Sequence, residues 1–429
     1  MTFIRLYPKI YYMKIEEIKI ENFKGITTLE FKPKNINFII GKNNTGKTSL
    51  LESIYLFFYP ERNVSRIKHS LSMFNFQSKY FEIIAKTNGK KHSIKVEKAT
   101  ENETIYEFKR DFIRLLDKSL HEIGKEMNIE LRNDLEKKIN ELLSLDVISY
   151  LKKESVILTK DNTNKKVYYK VFDIVISSER DENRKRFISF IEEILKYLGN
   201  KIQIEKENRK YRRFFDPIYT IFEFDKLDSQ LNLDERQVVF IKDPISTLSF
   251  NMEKEFHKND EKEIAENLYS IEQILKKYDL IKNLEKLNDI VIFKYGNDTF
   301  PIPFEQLGDG SKAIIGLLWY ISSKKMNNKI ILLDEPEIHM HPGYIKELVK
   351  MIIKFSKELN IQFFISTHNI DFIDMLFDET LTDEEKKYLK DEILILTMEK
   401  SKEMYTSAEV LNYESSKEIK DLLIDLRGV

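Results

Sequence analysis

The period of the hydrophobic pattern changes along the chain. Ile15, Ile18 and Ile20 approximate the alternation of a half-buried strand, Thr27 to Phe31 offers a second strand, and Asn22-Phe23-Lys24-Gly25 turns between them. Ile36 to Ile40 reads as a third, buried strand. A helix with Leu50, Leu51, Ile54, Leu56 and Phe57 on its apolar face follows and is stopped by Pro60. Tyr80 to Ala85 and His92 to Val96 flank Asn88-Gly89, a dipeptide whose tolerance of positive φ makes it a strong hairpin signal. The regular pattern begins at Met13, which reads as a start.

From about residue 106 to 235 the chain turns charged and helical, with Leu131, Leu135, Ile139 and Leu142 at helical spacing. The stripe is too short for a coiled coil, and the region is broken by Leu145 to Tyr150 and by the strand-like stretch Lys166 to Ser177. This region reads as a compact, mostly helical insert or lid. Val238 to Ile241 then opens a third region: helical material from about Asp260 to Leu287, a hairpin around Gly296-Asn297-Asp298, and a helix from Ala313 to Ile321. An unbroken apolar strand, Lys329 to Leu333, a helix after Pro342 and a strand from Ile361 to Ile365 complete the alternation expected of a parallel sheet covered on both faces. Two more strands, Glu392 to Thr397 and Ala408 to Leu411, and a helix from Ser415 to Leu423 follow. The organisation is thus residues 1–105, 106–235 and 236–429.

With 429 residues and 42% hydrophobic content the chain can bury a large core. Its 70 basic and 71 acidic residues nearly cancel, so no global field recruits nucleic acid; such binding would need a local patch. There is no cysteine, which removes disulfides and thiolate chemistry and leaves oxygen ligands for any metal. No apolar run is long enough to span a bilayer, which points to a cytoplasmic protein without membrane partners.

Against this background Gly41-Lys42-Asn43-Asn44-Thr45-Gly46-Lys47-Thr48-Ser49 stands out, because it joins the buried strand to the helix. The pattern G-x-x-x-x-G-K-[ST] lets the backbone curl so that N–H groups and a helix N-terminus face an anion. Lys47 would reach the terminal phosphates of ATP and the Thr48 hydroxyl would hold Mg²⁺. A second group sits at strand ends: Asp334 and Glu335, either two solvated acids or the carboxylates that support Mg²⁺ and polarise the attacking water, and His368, either a structural histidine or a group near the γ-phosphate. Arg209-Lys210-Tyr211-Arg212-Arg213-Phe214-Phe215 interleaves basic and aromatic residues and reads as a solvated face or a nucleic-acid grip.

The order phosphate loop, large insert, Gln306-Leu307-Gly308-Asp309-Gly310, Asp334-Glu335-Pro336-Glu337, Ser366-Thr367-His368 resembles the ABC-type ATPase heads of structural-maintenance-of-chromosomes proteins, RecF-like mediators and OLD-family nucleases. Met13-Lys14-Ile15 through Gly25 resembles the opening of such heads, and Glu337 to Pro342 resembles the OLD-like branch. The resemblance implies an α/β P-loop fold: a mixed central sheet with flanking helices, an N-terminal antiparallel β subdomain, and the helical insert. It also implies a head-to-tail homodimer in which Leu307, Gly308, Asp309 and Gly310 of one copy cap the ATP held by Gly41, Asn43, Asn44, Thr45, Gly46, Lys47, Thr48 and Ser49 of the other. Gly308 stands where the family often has serine. A Mg²⁺-sensing glutamine is expected, with Gln77 the candidate, and His339 and His341 are expected at the dimer interface. The metal-dependent nuclease domain of the OLD branch has no counterpart among the residues after His368.

These readings converge on a Mg²⁺-dependent ATPase working as an ATP-gated dimer in DNA repair or anti-phage defence, with DNA and an effector or nuclease subunit as candidate partners. A nucleotide-gated scaffold that holds and releases an effector with little turnover is the alternative, and a transporter's ATPase subunit is a third, weaker one.

Overall fold

A computed structural model describes residues 14–60, 73–75, 78–122, 125–143, 156–161, 164–168, 182–201, 238–241, 261–277, 279–288, 290–323, 329–338, 340–401 and 406–421. The chain divides into two compact units, residues 1–58, 83–92 and 234–429 in one, and 59–82 and 93–233 in the other.

In the first unit, β1 (Ile15–Phe23) and β2 (Ile26–Phe31) pair antiparallel, with Ile20 opposite Leu29. Their turn places Asn22 and Lys24 at positive φ. All five residues of β3 (Ile36–Ile40) are buried, and α1 (Lys47–Phe58) follows directly from the glycine loop. β4 (Tyr80–Thr87) and β5 (Lys90–Lys98), of which residues 83–92 belong to this unit, flank Asn88 and Gly89, at φ 51° and 72°, the two positive values of a tight type I′ turn.

The second unit holds the helices α2 (Glu101–Glu122), α3 (Ile129–Leu142) and α4 (Glu182–Lys201), with the antiparallel strands β6 (Val156–Lys160) and β7 (Asn164–Tyr168) between α3 and α4 in the chain. Its core joins Phe108, Phe112 and Leu116 of α2 to Leu135 and Ile139 of α3 and to Phe190, Ile194 and Leu198 of α4. The i, i+4 spacing within each set puts these side chains on one face. The strand-like stretch starts earlier than expected and is described only to Tyr168.

Returning to the first unit, β8 (Val238–Ile241) precedes α5 (Glu261–Lys277). The helix ends ten residues before the expected Leu287, and Leu284–Lys286 instead form β9, an edge strand beside the hairpin β10 (Ile290–Tyr295) and β11 (Asp298–Pro303). α6 (Asp309–Ser323) begins four residues before the expected Ala313 and buries Trp319. β12 (Ile330–Asp334) is buried throughout; α7 (Pro342–Glu358) starts with proline at its first position, where the missing N–H costs nothing. β13 (Gln362–Thr367) leads into the short helix α8 (Ile370–Asp374). A Thr382–Glu385 capping box opens α9 (Asp383–Glu392), before β14 (Ile393–Lys400), β15 (Thr406–Leu411) and α10 (Tyr413–Asp421). The sequence pattern had not suggested α8 and α9. The first is only five residues long, and Leu389 is the one described buried residue of the second, so neither writes a helical stripe.

The main sheet of this unit runs β4-β1-β2-β15-β14-β3-β13-β12-β8. β14, β3, β13, β12 and β8 are parallel, and the antiparallel N-terminal strands continue the same sheet through β15. Two buried amides join distant segments. Gln362 Nε2 donates to Ile15 O and Lys34 O, both at 3.0 Å, while Asn37 Nδ2 donates to Phe363 O at 2.9 Å. In register, Thr367 faces Ile40 and Asp334 faces Ser366. Because the strands are parallel, the carboxyl ends of β3, β13 and β12 therefore gather at one edge of the sheet.

Candidate functional site

The loop after β3 curls as its glycines allow. Gly41 has φ 154°, Asn44 65° and Gly46 99°. A Cβ on Gly41 would stand 2.3 Å from the Met398 carbonyl oxygen and 2.8 Å from Thr45 Oγ1, and one on Gly46 3.1 Å from Thr406 Oγ1. The loop is thus packed against β14 and β15, and Thr406 Oγ1 donates to Thr45 O at 3.0 Å across 361 residues of sequence. Asn43 and Asn44 form its exposed tip, and Ser49 is half-buried in the first turn of α1.

Lys47 is 5% exposed, and its Nζ donates to Gly41 O and Lys42 O, each at 3.0 Å. Burial lowers its pKa, while the carboxylates of Glu335, Asp334 and Glu337 oppose that shift. Thr48 Oγ1, at the loop's exposed end, donates to Asp334 Oδ1 at 3.0 Å. Asp334 also accepts from the Ser366 hydroxyl.

Glu335 stands just past β12 at φ 49°, a left-handed conformation a non-glycine residue adopts at a cost of about 1–3 kcal/mol. Its N–H donates to Ser366 O at 3.0 Å, which holds the residue there. Glu335 Oε1 then lies 2.8 Å from His368 Nδ1 and 4.0 Å from Lys47 Nζ. Lysine, carboxylate and imidazole therefore converge from α1, the end of β12 and the end of β13.

The donor set suits a magnesium nucleotide. Thr48 and Asp334 supply two hard oxygens, and among the described residues no cluster of three or more His, Cys, Asp or Glu forms a complete metal site. Mg²⁺ typically takes one or two protein oxygens and completes its shell with phosphate and water. The residues fit that arrangement.

The Leu307–Gly310 turn is built differently. Leu307 is buried in the core, and Gly308 and Asp309 are exposed. Asp309 and Gly310 already belong to the first turn of α6, whose free N–H groups give such ends their affinity for anions. A Cβ on Gly310 would meet the Tyr344 ring at 2.6 Å, and Tyr344 Oη lies 2.7 Å from Ser311 Oγ. The turn's described hydrogen bonds run to Phe304 and Lys312.

Pattern reading had not assigned site roles to Ser366, Thr367, Glu337, Tyr344, Met398 or Thr406. Ser366 and Thr367 end an apolar strand next to His368, and that placement was their only signal; Met398 and Thr406 carry none. His341 caps α7, accepting from Gly343 N at 3.2 Å. Gln77, His339 and Arg209 to Phe215 lie outside the described residues, as do the first thirteen.

A family model, the AAA ATPase domain, matches residues 13–373. The DNA replication and repair protein RecF of Francisella tularensis subsp. novicida is 54% identical over 44 residues, 10% of this chain and 13% of that protein; RecF of subsp. mediasiatica matches to the same extent. The match thus spans a small part of these curated relatives. Among solved structures, the Smc head domain of Pyrococcus furiosus bound to the C-terminal domain of ScpA aligns at TM-score 0.41 and 14% identity, over 96% of this chain and 99% of that one. The SMC head domain of Thermotoga maritima aligns at 0.42 and 11%, over 93% and 99%. No described helix is long and apolar enough to cross a membrane. With a family model covering most of its length and a glycine loop, strand carboxylates and histidine assembled on one parallel sheet, the chain belongs to the AAA ATPase domain family, with an α/β P-loop fold.

Proposed function

We propose that the protein binds MgATP in the Gly41–Thr48 loop and hydrolyses it as an ATP-gated head-to-tail dimer. The observation that carries this reading is the convergence on Glu335 Oε1 of His368 at 2.8 Å and Lys47 at 4.0 Å, beside the Thr48–Asp334 pair. The loop N–H groups and Lys47 bind the phosphates, and Thr48 with Asp334 holds Mg²⁺, which neutralises phosphate charge when bound. Glu335 orients and deprotonates the attacking water, and His368 holds Glu335 in place and follows the γ-phosphate. Leu307, Gly308, Asp309 and Gly310, at the α6 N-terminus of a second copy, cap the nucleotide. The second unit, with its α2, α3 and α4 core, is the output element that closure moves. The RecF match favours a role on DNA in repair; a role in defence, with an effector or nuclease as a further partner, rests on the resemblance of Glu337 to Pro342 to the OLD-like branch.

Phosphate release and particle mass are measured with and without ATP for wild type and Glu335→Gln. The variant keeps ATP, accumulates as dimer and loses turnover by about 10²–10⁴-fold. Wild-type turnover in E335Q, or an ATP-insensitive monomer, overturns the reading. Stimulation of wild-type turnover by single- or double-stranded DNA supports the DNA role, and indifference removes it.

A further inference from the structure

Glu337 is a buried carboxyl that the hydrolysis reading leaves without a task. It lies two residues past Glu335 and is 3% exposed. Its Oε1 accepts from the Thr367 hydroxyl, while Oε2 is buried with no hydrogen-bond partner among the described residues. Leaving such an oxygen unpaired costs about 1–3 kcal/mol, so its position calls for a reason.

The Thr367 hydroxyl has a second role: Oγ1 accepts from the Asn369 N–H at 2.9 Å. One hydroxyl thereby connects Glu337, at the end of β12, to both sides of His368, at the end of β13. His368 in turn meets Glu335. We propose that Glu337 is a positioning residue: through Thr367 it fixes the turn that carries His368, and so sets the geometry of the Glu335–His368 pair.

The charged groups acting around it are Glu335, His368 and Lys47. A second anion here would repel Glu335. Burial, first, and the nearby Glu335 push the Glu337 carboxyl up to about 7, against the hydrogen bond from Thr367, its own backbone N–H and His368. In the neutral form Oε1 still accepts from Thr367 without adding charge beside Glu335, and a glutamine oxygen can do the same.

The effect on turnover rests on the ATPase reading; the effect on His368 does not. Glu337→Gln, Glu337→Ala and Thr367→Val are compared by steady-state kinetics and by the ring resonances of His368, identified among the seven histidines by its own replacement. The proposal expects E337A and T367V to lose roughly tenfold to a hundredfold in kcat, with KM for ATP within about threefold, and to shift the His368 resonances. It expects E337Q to keep both near wild type and to lose the inflection near pH 7 from the kcat profile. Should E337A not fold, T367V tests the same link with a side chain of the same shape. Unchanged His368 resonances in T367V, or an E337Q as damaged as E337A, overturn the proposal. If wild type shows no turnover, the ATPase reading fails while the resonances still decide the role of Glu337.

Discussion

The two glycine-containing turns of the head are held by opposite means. The phosphate loop is tied to parts of the chain far away in sequence: Thr406 to Thr45, Asp334 to Thr48, and Met398 against Gly41. The backbone hydrogen bonds of the Leu307–Gly310 turn run to its neighbours Phe304 and Lys312, and one distant side chain, the Tyr344 ring, packs against Gly310. One turn is shaped by its own chain on several sides. The other presents exposed backbone at a helix N-terminus, which suits a surface completed by something outside the chain. The same residue type thus meets different surroundings: a Cβ on Gly41 would collide with backbone, and one on Gly308 would meet nothing within 4 Å.

Substitutions can break this comparison. Gly41→Ala should have the largest effect, because its Cβ would stand 2.3 Å from a backbone oxygen that cannot rotate away. We expect a loss on the order of 3 kcal/mol in denaturant unfolding, together with loss of ATP binding.

The site's wiring also includes a buried titratable carboxyl, whereas the acid of the other turn, Asp309, is exposed. Glu337 has a folded pKa of about 7 against an ordinary 4.5, so the folded protein keeps a proton that the unfolded chain releases. Stability from this group is fully present below about pH 4.5 and is lost as pH rises through 7, by a total on the order of 3 kcal/mol. Unfolding measured from pH 4.5 to 8 should show that decline in wild type and not in Glu337→Gln. An identical slope in both would detach the carboxyl from the site's energetics.

Gly310→Ala should cost about 1–3 kcal/mol, because the Tyr344 ring must move, and combining it with Tyr344→Ala should recover part of that loss. Gly308→Ala should have the smallest effect on folding, within about 0.5 kcal/mol, since an added Cβ meets nothing within 4 Å. If G308A nevertheless changes ATP-driven dimerisation, measured by light scattering, the constraint on Gly308 comes from a second copy; if it changes neither, the cap lies elsewhere.

Much of the head was legible because its parts write local patterns. β3, β12 and β13 are buried on both faces and read as apolar runs; Asn88-Gly89 announced its turn, and the spacing of Gly41, Gly46, Lys47 and Thr48 marked the loop between β3 and α1. Illegible features had weak local signals. Leu284–Lys286 is three residues long and was absorbed into the preceding helix, and α9 carries too little apolar surface to show a stripe, although its Thr382–Glu385 cap was in plain view.

The sequence by itself determined the glycine loop and the strand-end carboxylates of the candidate site, because each is specified by neighbours in the chain. Only the tertiary structure decided which groups meet. That Met398 and Thr406 wall the loop, that Ser366 holds Asp334, and that Glu337 reaches Thr367 all depend on strand order and register. Those are set by long-range pairing: the local pattern fixes which face of a strand is buried, but not which strand lies beside it.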